Sequence, residues 1–297
     1  MSDAQKKKWS KKKKVIVIVL CVLLAFIIAI VGAGVGALNW YCKTTPYEVV
    51  SVADTNMADN ENIKMIAHRG FRAMAPENTL PAFEKAGESG YWGAECDIYR
   101  TKDGVWVVQH DVNTYRMMDK TANIEKVTYD ELKTYVTDNG NMIGAYPNLG
   151  ICTLDEYLDA CAKYSMVPVI ELKGKNNTEH YDEIAQSVNK YGTSLKAPVF
   201  ISFHEENLMK LRELFPENDM FYLVNEIEDE SIDIAKEIGN CGIDFDGNKE
   251  KNYEDNIIEK CQQAGLEMGA WTIDDPAVME KLVDLGVNYI TTNCITY

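Results

Sequence analysis

The sequence predicts a closed (β/α)8 barrel preceded by one N-terminal transmembrane helix. Short apolar segments alternate with helical patterns over about 230 residues, which is typical of a parallel sheet covered by helices. The number of strand-like segments is close to eight, as a closed barrel requires. No GxGxxG motif follows the first segment, so a dinucleotide-binding fold is disfavoured. An open doubly wound sheet is the alternative architecture.

The N-terminal part of the chain predicts a membrane anchor. Residues 1–14 are a basic tail with seven lysines, and residues 15–38 are uncharged and rich in Val, Ile and Leu. About 20 apolar residues cross a bilayer as a helix, and flanking lysines stay on the cytoplasmic side. We therefore expect a cytoplasmic tail, a single-pass helix at 15–38 and a catalytic domain outside the cytoplasm. A cleaved signal peptide, giving a secreted form, is the alternative.

The remaining chain divides into a polar linker at 39–62 and the barrel domain at 63–297. The segment up to Leu38 holds seven of the 30 basic residues but only one of the 46 acidic residues. The domain is therefore strongly acidic and would repel nucleic acid phosphates. This charge balance argues against a nucleic acid partner. A phosphate ligand would need a bound cation and local positive groups.

The strand candidates are short apolar runs rich in β-branched residues. They are residues 63–67, 94–98, 105–109, 167–172, 198–203, 220–224, 242–245, 266–273 and 287–291. Amphipathic helix candidates separate most of them, at 80–89, 129–136, 154–164, 179–190, 205–214, 229–238, 253–264 and 276–285. Thr153 and Glu156 have the spacing of a capping box, and Thr178 or Asp275 could cap in the same way.

Polar residues stand at the ends of four strand candidates. In a parallel barrel the active groups lie at the carboxyl ends of the strands. Glu95 and Asp97 are two residues apart, so their side chains share one face and Cys96 faces the opposite side. The residues at these ends are His68 and Arg69, Glu95 and Asp97, His110, and Glu171 and Lys173.

These residue types suit metal-assisted cleavage of a phosphodiester. Glu95, Asp97 and Glu171 offer the oxygen ligands that Ca²⁺ or Mg²⁺ prefer. Zinc is a poorer match, because His and Cys are not clustered at ligand spacing. His68 and His110 could take a proton from the attacking group and give one to the leaving alcohol near neutral pH. Arg69, the neighbour of His68, could bind the phosphate through two contacts.

In order and spacing, the motifs resemble those of the glycerophosphodiester phosphodiesterase family. The resemblance spans nearly all of residues 63–293. The main matches are His68-Arg69-Gly70, Pro76-Glu77-Asn78-Thr79, Glu95-Cys96-Asp97, Thr101-Lys102-Asp103-Gly104, His110-Asp111 and Glu171-Leu172-Lys173, with weaker ones at Ser202-Phe203, Trp271-Thr272 and Gly286-Val287.

The resemblance implies a TIM barrel that uses a divalent cation, Ca²⁺ or Mg²⁺, to hydrolyse a glycerophosphodiester to glycerol 3-phosphate and an alcohol. Attack by a glycerol hydroxyl, through a cyclic phosphate, and direct attack by water are both open. By motif, His68 and His110 match the acid/base pair, Glu95, Asp97 and Glu171 match the metal ligands, and Arg69 and Lys173 match the phosphate-binding groups.

Other features leave alternatives open. Trp271 and Phe203 are candidates for a substrate wall, with core packing as the alternative. Membrane tethering gives weight to a lysolipid substrate, cleaved as by a lysophospholipase D, which an apolar groove beside the mouth would support. Family members often have Asn where this chain has Asp274 and Asp where it has Asn293. These two departures are expected to affect the fit of substrate beyond the phosphate.

Six cysteines of the barrel domain allow several disulfide pairings, and an extracytoplasmic location permits disulfides. We favour free, buried thiols that act as small hydrophobic residues.

Overall fold

The computed structural model describes residues 47–53, 62–174, 177–253 and 256–297. These residues form twelve strands, β1 to β12 in chain order: Val50–Ser51, Lys64–Ala67, Gly93–Arg100, Trp106–Val108, Cys152–Thr153, Val167–Leu172, Val199–Ser202, Met220–Val224, Cys241–Asp246, Met268–Trp271, Tyr289–Thr292 and Ile295–Thr296. They also form eight α-helices, α1 to α8: Leu80–Glu88, Tyr129–Leu132, Leu154–Tyr164, Tyr181–Asn189, Glu205–Leu214, Asp229–Ile238, Ile257–Gln263 and Pro276–Asp284.

Eight parallel strands close into a barrel, which confirms the predicted architecture. The order around the barrel is β2, β3, β6, β7, β8, β9, β10 and β11, and β11 pairs with β2 to complete the circle. Because all eight strands run in one direction, their carboxyl ends meet at one mouth. The barrel interior is filled by apolar side chains of alternate residues: Ile66, Val167, Val169, Val199, Ile201, Phe221, Leu223 and Tyr289.

The strand predicted at 105–109 is not one of the eight barrel strands. It forms β4, which pairs antiparallel with β3 so that Val108 lies opposite Ile98, and β5 adds antiparallel to β4. The turn of this hairpin contains Asp103 and Gly104, with Gly104 at a φ of +94°. The prediction of a barrel strand was wrong here because a short apolar run does not reveal the direction of its partner.

Most helices match their predicted bounds, and their caps explain why. Thr153 and Glu156 form the predicted capping box of α3, and Asp275 accepts a hydrogen bond from the backbone N–H of Ala277 at the start of α8. Thr178 does not cap α4, because it begins a 3-10 turn that precedes this helix. The helices predicted at 129–136 and 253–264 are shorter than expected.

The described residues include only part of the N-terminal segments that the sequence predicts. Val50 and Ser51, within the segment predicted as a linker, pair in parallel with Ile295 and Thr296. The predicted tail at 1–14 and membrane helix at 15–38 lie outside the described residues. Among the helices that are described, none is long and apolar enough to cross a membrane.

The cysteines of the described residues are free and buried, as predicted; they are Cys96, Cys152, Cys161, Cys241, Cys261 and Cys294. Cys96 lies on the outer face of β3, in the core between the strands and the helices. Burial raises the pKa of the Cys161 thiol to about 12, so this group is protonated and unreactive at neutral pH.

Candidate active site

A cavity of about 200 Å³ is lined by residues that lie in or follow the barrel strands, together with His110, which comes after β4. It brings together eight of the nine residues predicted to form the site, and the ninth, Asp97, is buried at 1% exposure beside them. Residues more than 200 positions apart in sequence therefore meet at the predicted end of the barrel. The predicted residues in the lining are His68, Arg69, Glu95, His110, Glu171, Lys173, Phe203 and Trp271.

A tight turn after β2 carries His68 and Arg69 to the cavity. Arg69 and Gly70 both have a positive φ, of 58° and 74°. A Cβ atom on Gly70 would lie 2.7 Å from the backbone of Ala82, so only glycine fits there. Within this turn, the backbone N–H of Arg69 donates to Glu95 Oε2 at 2.8 Å. The His-Arg-Gly motif thus connects the first barrel strand to an acid of the second.

Glu95, Asp97 and Glu171 form one buried acidic cluster. The register of β3 and β6 places Asp97 directly beside Glu171, and Glu95 shares their face because it is two residues from Asp97. One ligand atom from each residue lies within 4.8 Å of the others. Glu95 Oε1 is buried without a hydrogen-bond partner among the described residues. A set of three carboxylates at this spacing fits a hard divalent cation.

The charges around this cluster are unevenly compensated. Burial and then the charge of Asp97 raise the pKa values of Glu95 and Glu171. Burial would also raise the pKa of Asp97, but Lys173 and Arg69 outweigh it and hold that pKa well below its usual range. Lys173 Nζ lies 2.7 Å from Glu171 Oε1 and 3.2 Å from Asp97 Oδ1. A cation would supply the positive charge that the cluster lacks.

A hydrogen-bonded chain orients the His68 imidazole. Asn293 Nδ2 donates to Asp274 Oδ2 at 2.6 Å, and because a carboxylate only accepts, this contact fixes the orientation of the Asn293 amide. Asn293 Oδ1 then lies 2.7 Å from His68 Nδ1. His68 Nδ1 must carry the proton of this bond, which leaves Nε2 as the free lone pair. The departures at Asp274 and Asn293 therefore support His68, and their expected effect on the fit of the substrate beyond the phosphate stays a prediction.

His110 has a different partner from His68. The β3–β4 hairpin returns the chain to the mouth, where the N–H of Gln109 donates to the carbonyl of Asp97 at 2.9 Å. His110 Nδ1 lies 3.0 Å from Asp111 Oδ1, and Arg116 Nε donates to Asp111 Oδ2 at 2.6 Å. The hydrogen bond from His110 is the main cause that lowers the pKa of Asp111. The imidazole of His68 thus faces a neutral amide, and that of His110 faces a carboxylate.

A buried carboxylate beneath the mouth joins three arginines. Glu77 is 5% exposed and pairs with Arg69 at 2.8 Å, with Arg72 at 2.6 Å and with Arg116 at 2.6 Å. Burial alone would raise the pKa of Glu77, but the three arginines outweigh it and hold the pKa well below its usual range. Glu77 does not cap the helix that follows, which begins after Thr79 and has no side-chain cap.

Asn78, the neighbour of Glu77, contacts the acidic cluster: its Nδ2 donates to Asp97 Oδ2 at 2.7 Å. Its φ of 56° places it in the left-handed region, where Asn is better tolerated than most residues. Sequence reasoning did not identify Asp111, Arg116, Asp274 or Asn293 as site residues. The departures at the last two positions were the only available signal, and they could be interpreted only once their contact was known.

The wall formed by β7, β8 and β10 is largely apolar. The rings of Phe203 and Trp271 meet edge to face with centroids 5.6 Å apart, and both line the cavity. A neighbouring groove of about 700 Å³ shares Phe203 and Leu223 with the cavity. This groove is lined by several glutamates, including Glu205, Glu226 and Glu230. It therefore differs from the apolar groove that a lipid chain would require.

Comparisons with known proteins agree with this geometry. The model of the glycerophosphoryl diester phosphodiesterase family matches residues 68–296. A glycerophosphodiester phosphodiesterase of Caldanaerobacter subterraneus subsp. tengcongensis is 26% identical over 236 residues, which are 77% of this chain and 93% of that protein.

Solved structures give the same result. The crystal structure of a glycerophosphodiester phosphodiesterase from Parabacteroides distasonis is similar with a TM-score of 0.64 and 30% identity, over 78% of this chain and 93% of that one. A phosphodiesterase of Oleispira antarctica, solved in complex with the product sn-glycerol-3-phosphate, has a TM-score of 0.69 and 28% identity, over 77% of this chain and 92% of that one.

Proposed function

The chain belongs to the glycerophosphoryl diester phosphodiesterase family, and we propose that it uses a divalent cation to hydrolyse glycerophosphodiesters to glycerol 3-phosphate and an alcohol. One observation carries this proposal. Two imidazoles, three clustered carboxylates, an arginine and a lysine surround a single small cavity. Cleavage of a phosphodiester requires two proton transfers, which two imidazoles can provide. It also requires compensation of negative charge, which a carboxylate-bound cation, an arginine and a lysine can provide.

We infer that Glu95, Asp97 and Glu171 hold the cation, either Ca²⁺ or Mg²⁺. Their oxygen donors are of the type that both ions prefer, and the buried, unpartnered Glu95 Oε1 supports this inference. When bound, such an ion acts as a Lewis acid that compensates the charge of the phosphodiester in the transition state.

Arg69 and Lys173 are the proposed phosphate-binding groups. Both line the cavity. Burial would lower the pKa of each group, but the carboxylates around it outweigh burial and raise the pKa, so both groups stay positively charged. Arg69 Nε lies 3.5 Å from Asp97 Oδ2, which holds the guanidinium beside the acidic cluster. An arginine held in this way can bind phosphate with fixed geometry.

The two histidines have distinct proposed roles. His68 faces a neutral amide, and burial, Arg69 and Arg72 lower its pKa, so it is neutral at pH 7 and acts as the general base. His110 faces the Asp111 carboxylate, which can compensate a positive imidazolium, so it acts as the general acid.

The reaction then follows from these two roles. His68 Nε2 takes the proton of the attacking hydroxyl, whether that of glycerol or of water, and the hydroxyl oxygen forms a bond to phosphorus. The bond from phosphorus to the alcohol oxygen breaks, and His110 Nε2 gives its proton to that oxygen. If water attacks, glycerol 3-phosphate is the direct product, and proton exchange with solvent restores both imidazoles. If the glycerol hydroxyl attacks, the product is a cyclic phosphate. In that case His110 Nε2 takes a proton from water, the water oxygen bonds to phosphorus, the ring P–O bond breaks, and His68 Nε2 returns its proton to the glycerol oxygen, which restores both imidazoles.

The test is hydrolysis of sn-glycero-3-phosphocholine by the purified full chain. We expect release of glycerol 3-phosphate and choline that stops with a chelator and returns with Ca²⁺ or Mg²⁺. Full activity in chelator would contradict the role of the cation, and no hydrolysis of any glycerophosphodiester by folded, cation-loaded protein would contradict the function. A lysophospholipid, measured in parallel, tests the alternative substrate.

We also propose that residues 15–38 anchor the domain at the outer face of a membrane. The support is the sequence alone: seven lysines precede 24 uncharged residues, a pattern that keeps the N-terminus in the cytoplasm. Protease added to intact cells should digest the barrel domain but not a cytoplasmic control protein. A protected domain would contradict this topology, and a mature chain that begins near residue 38 would indicate cleavage and secretion.

A further inference from the structure

A carboxyl group that the proposed mechanism does not use lines the catalytic cavity. Asp244 lies in β9 at 6% exposure, on the opposite wall from the acidic cluster. Its Oδ1 atom is buried and has no hydrogen-bond partner in the described ranges. A buried polar atom of this kind is uncommon in proteins and calls for a ligand, an ion or water.

The neighbouring strands give this carboxyl its position. Asp244 lies between Leu223 of β8 and Gly269 of β10 in the strand register. A Cβ atom on Gly269 would come 2.9 Å from Asp244 Oδ1, so the glycine leaves the space that the carboxyl occupies inside the barrel. The indole Nε1 of Trp271 donates to the backbone carbonyl of Asp244 at 3.3 Å, which joins the aromatic wall to the same strand.

The chemistry around Asp244 indicates a hydroxyl ligand. The ligand-spaced acidic group found among the described residues consists of Glu95, Asp97 and Glu171, and Asp244 is not a member. Its wall otherwise presents mainly apolar groups, such as Leu223 and Trp271, to the cavity. A single carboxyl in an apolar wall binds and orients a hydroxyl, while the adjacent carbon atoms pack on the apolar side chains.

We propose that Asp244 binds a hydroxyl of the glycerol moiety and thereby selects glycerophosphodiesters from other phosphodiesters. This inference rests on the proposed function, because it assigns the glycerol side of the same substrate. The low exposure of Asp244, 6%, supports glycerol over the leaving alcohol, because the smaller part of the substrate fits more readily beside a buried group in a cavity of about 200 Å³. A leaving alcohol of any size can extend toward the open groove beside Phe203.

Product binding tests the proposal without catalysis. The probes are sn-glycerol 3-phosphate, the phosphates of propane-1,2-diol and propane-1,3-diol, and inorganic phosphate, titrated calorimetrically into the cation-loaded full chain. A site that bonds a hydroxyl discriminates strongly against an analogue without it. We expect the wild-type protein to bind sn-glycerol 3-phosphate at least about tenfold more tightly than one of the propanediol phosphates.

Variants connect this discrimination to Asp244. Asp244→Leu, and Asp244→Ala if the larger side chain prevents folding, should bind sn-glycerol 3-phosphate and that propanediol phosphate equally. Their affinity for inorganic phosphate should stay within about twofold of the wild type. Asp233→Asn removes an exposed carboxylate of α6 and is the control.

The other possible results would contradict either the role of Asp244 or the proposed function. Unchanged discrimination in the variants, or an equal loss of affinity for every probe, would overturn the role of Asp244; the second result would indicate a cation site or a structural role. The wild-type protein could discriminate between sn-glycerol 3-phosphate and the propanediol phosphate through Asp244 and yet hydrolyse no glycerophosphodiester. That result would contradict the proposed function but not the role of Asp244.

Discussion

Asn293 and His68 are joined by a hydrogen bond of 2.7 Å between Oδ1 and Nδ1. Asp274 holds the Asn293 amide from its other side, so the bond has one orientation and the imidazole one tautomer. The neutral amide orients His68, and its hydrogen bond raises the pKa of the imidazole, but burial, Arg69 and Arg72 outweigh this effect and lower that pKa. The orientation of the proposed general base is therefore set by a pair of residues that lie outside the main motifs.

Exchange of the two partners should change the pH dependence and preserve the structure. In the double variant Asp274→Asn/Asn293→Asp, the hydrogen bonds of the pair can all be kept, but a carboxylate now faces His68. An adjacent opposite charge raises the pKa of an imidazole by about one unit or more. The acidic limb of the kcat/KM profile should therefore move to higher pH by about one unit.

The single variant Asn293→Asp is the matched comparison. It places two carboxylates side by side, so thermal stability should fall, and adding Asp274→Asn should restore it. An acidic limb that does not move in a stable double variant would show that the pair does not set the protonation of His68.

Removal of either imidazole should abolish most turnover. General acid–base catalysis contributes about 10²–10⁴-fold to rate, so His68→Ala and His110→Ala should each lose at least about 100-fold in kcat. His180→Ala is the control, because His180 is a surface residue that contacts only Glu179 and Glu183 in the described ion pairs. Circular dichroism checks that each variant is folded, and near-normal rates in either site variant would refute its assigned role.

Loss of a cluster oxygen should weaken cation binding as well as rate. Glu95→Gln removes one charge from the proposed ligand set, so affinity for Ca²⁺ or Mg²⁺ should fall by about tenfold or more. A bound cation stabilises the folded state by mass action. The wild-type melting temperature should therefore rise with added cation, and the variant should need a higher concentration for the same rise. Equal titration curves would contradict the assignment of Glu95.

Glu77 should contribute to stability rather than to chemistry. Glu77→Gln leaves three arginines without their shared buried charge, and breaking such a group costs about 3–5 kcal/mol. The free energy of unfolding in urea measures this loss at pH 7. A loss below about 1 kcal/mol would show that water compensates the arginines equally well.

The same carboxylate predicts a pH dependence of stability. Its pKa is lowered in the folded state, so its contribution is fully present above the unfolded value of about 4.3. The contribution is lost as the pH falls from there through the lower, folded pKa. The difference in unfolding free energy between wild type and Glu77→Gln should therefore shrink below about pH 4. A difference in unfolding free energy that stays constant down to about pH 2 would contradict this pH dependence.

Local patterns in the sequence were sufficient to predict the barrel and most of the site. The alternation of apolar runs and amphipathic helices follows from the need of each element to bury one face. The two-residue spacing of Glu95 and Asp97 sets their common face directly. His68 and Lys173 follow barrel strands, Glu171 lies near the end of one, and all parallel strands end at one mouth, so the sequence also predicted that these residues meet.

Only the tertiary structure decided which residues support that site. The direction of β4 depends on its partner strand, so the hairpin that delivers His110 could not be distinguished from a barrel strand. The contact between Asp274 and Asn293 joins two loops, and the ion pair between Glu77 and Arg116 joins two others. The sequence does not specify such contacts, because they form only once the strands are in register. A buried charge or amide is defined by its neighbours in space, and the sequence orders residues only along the chain.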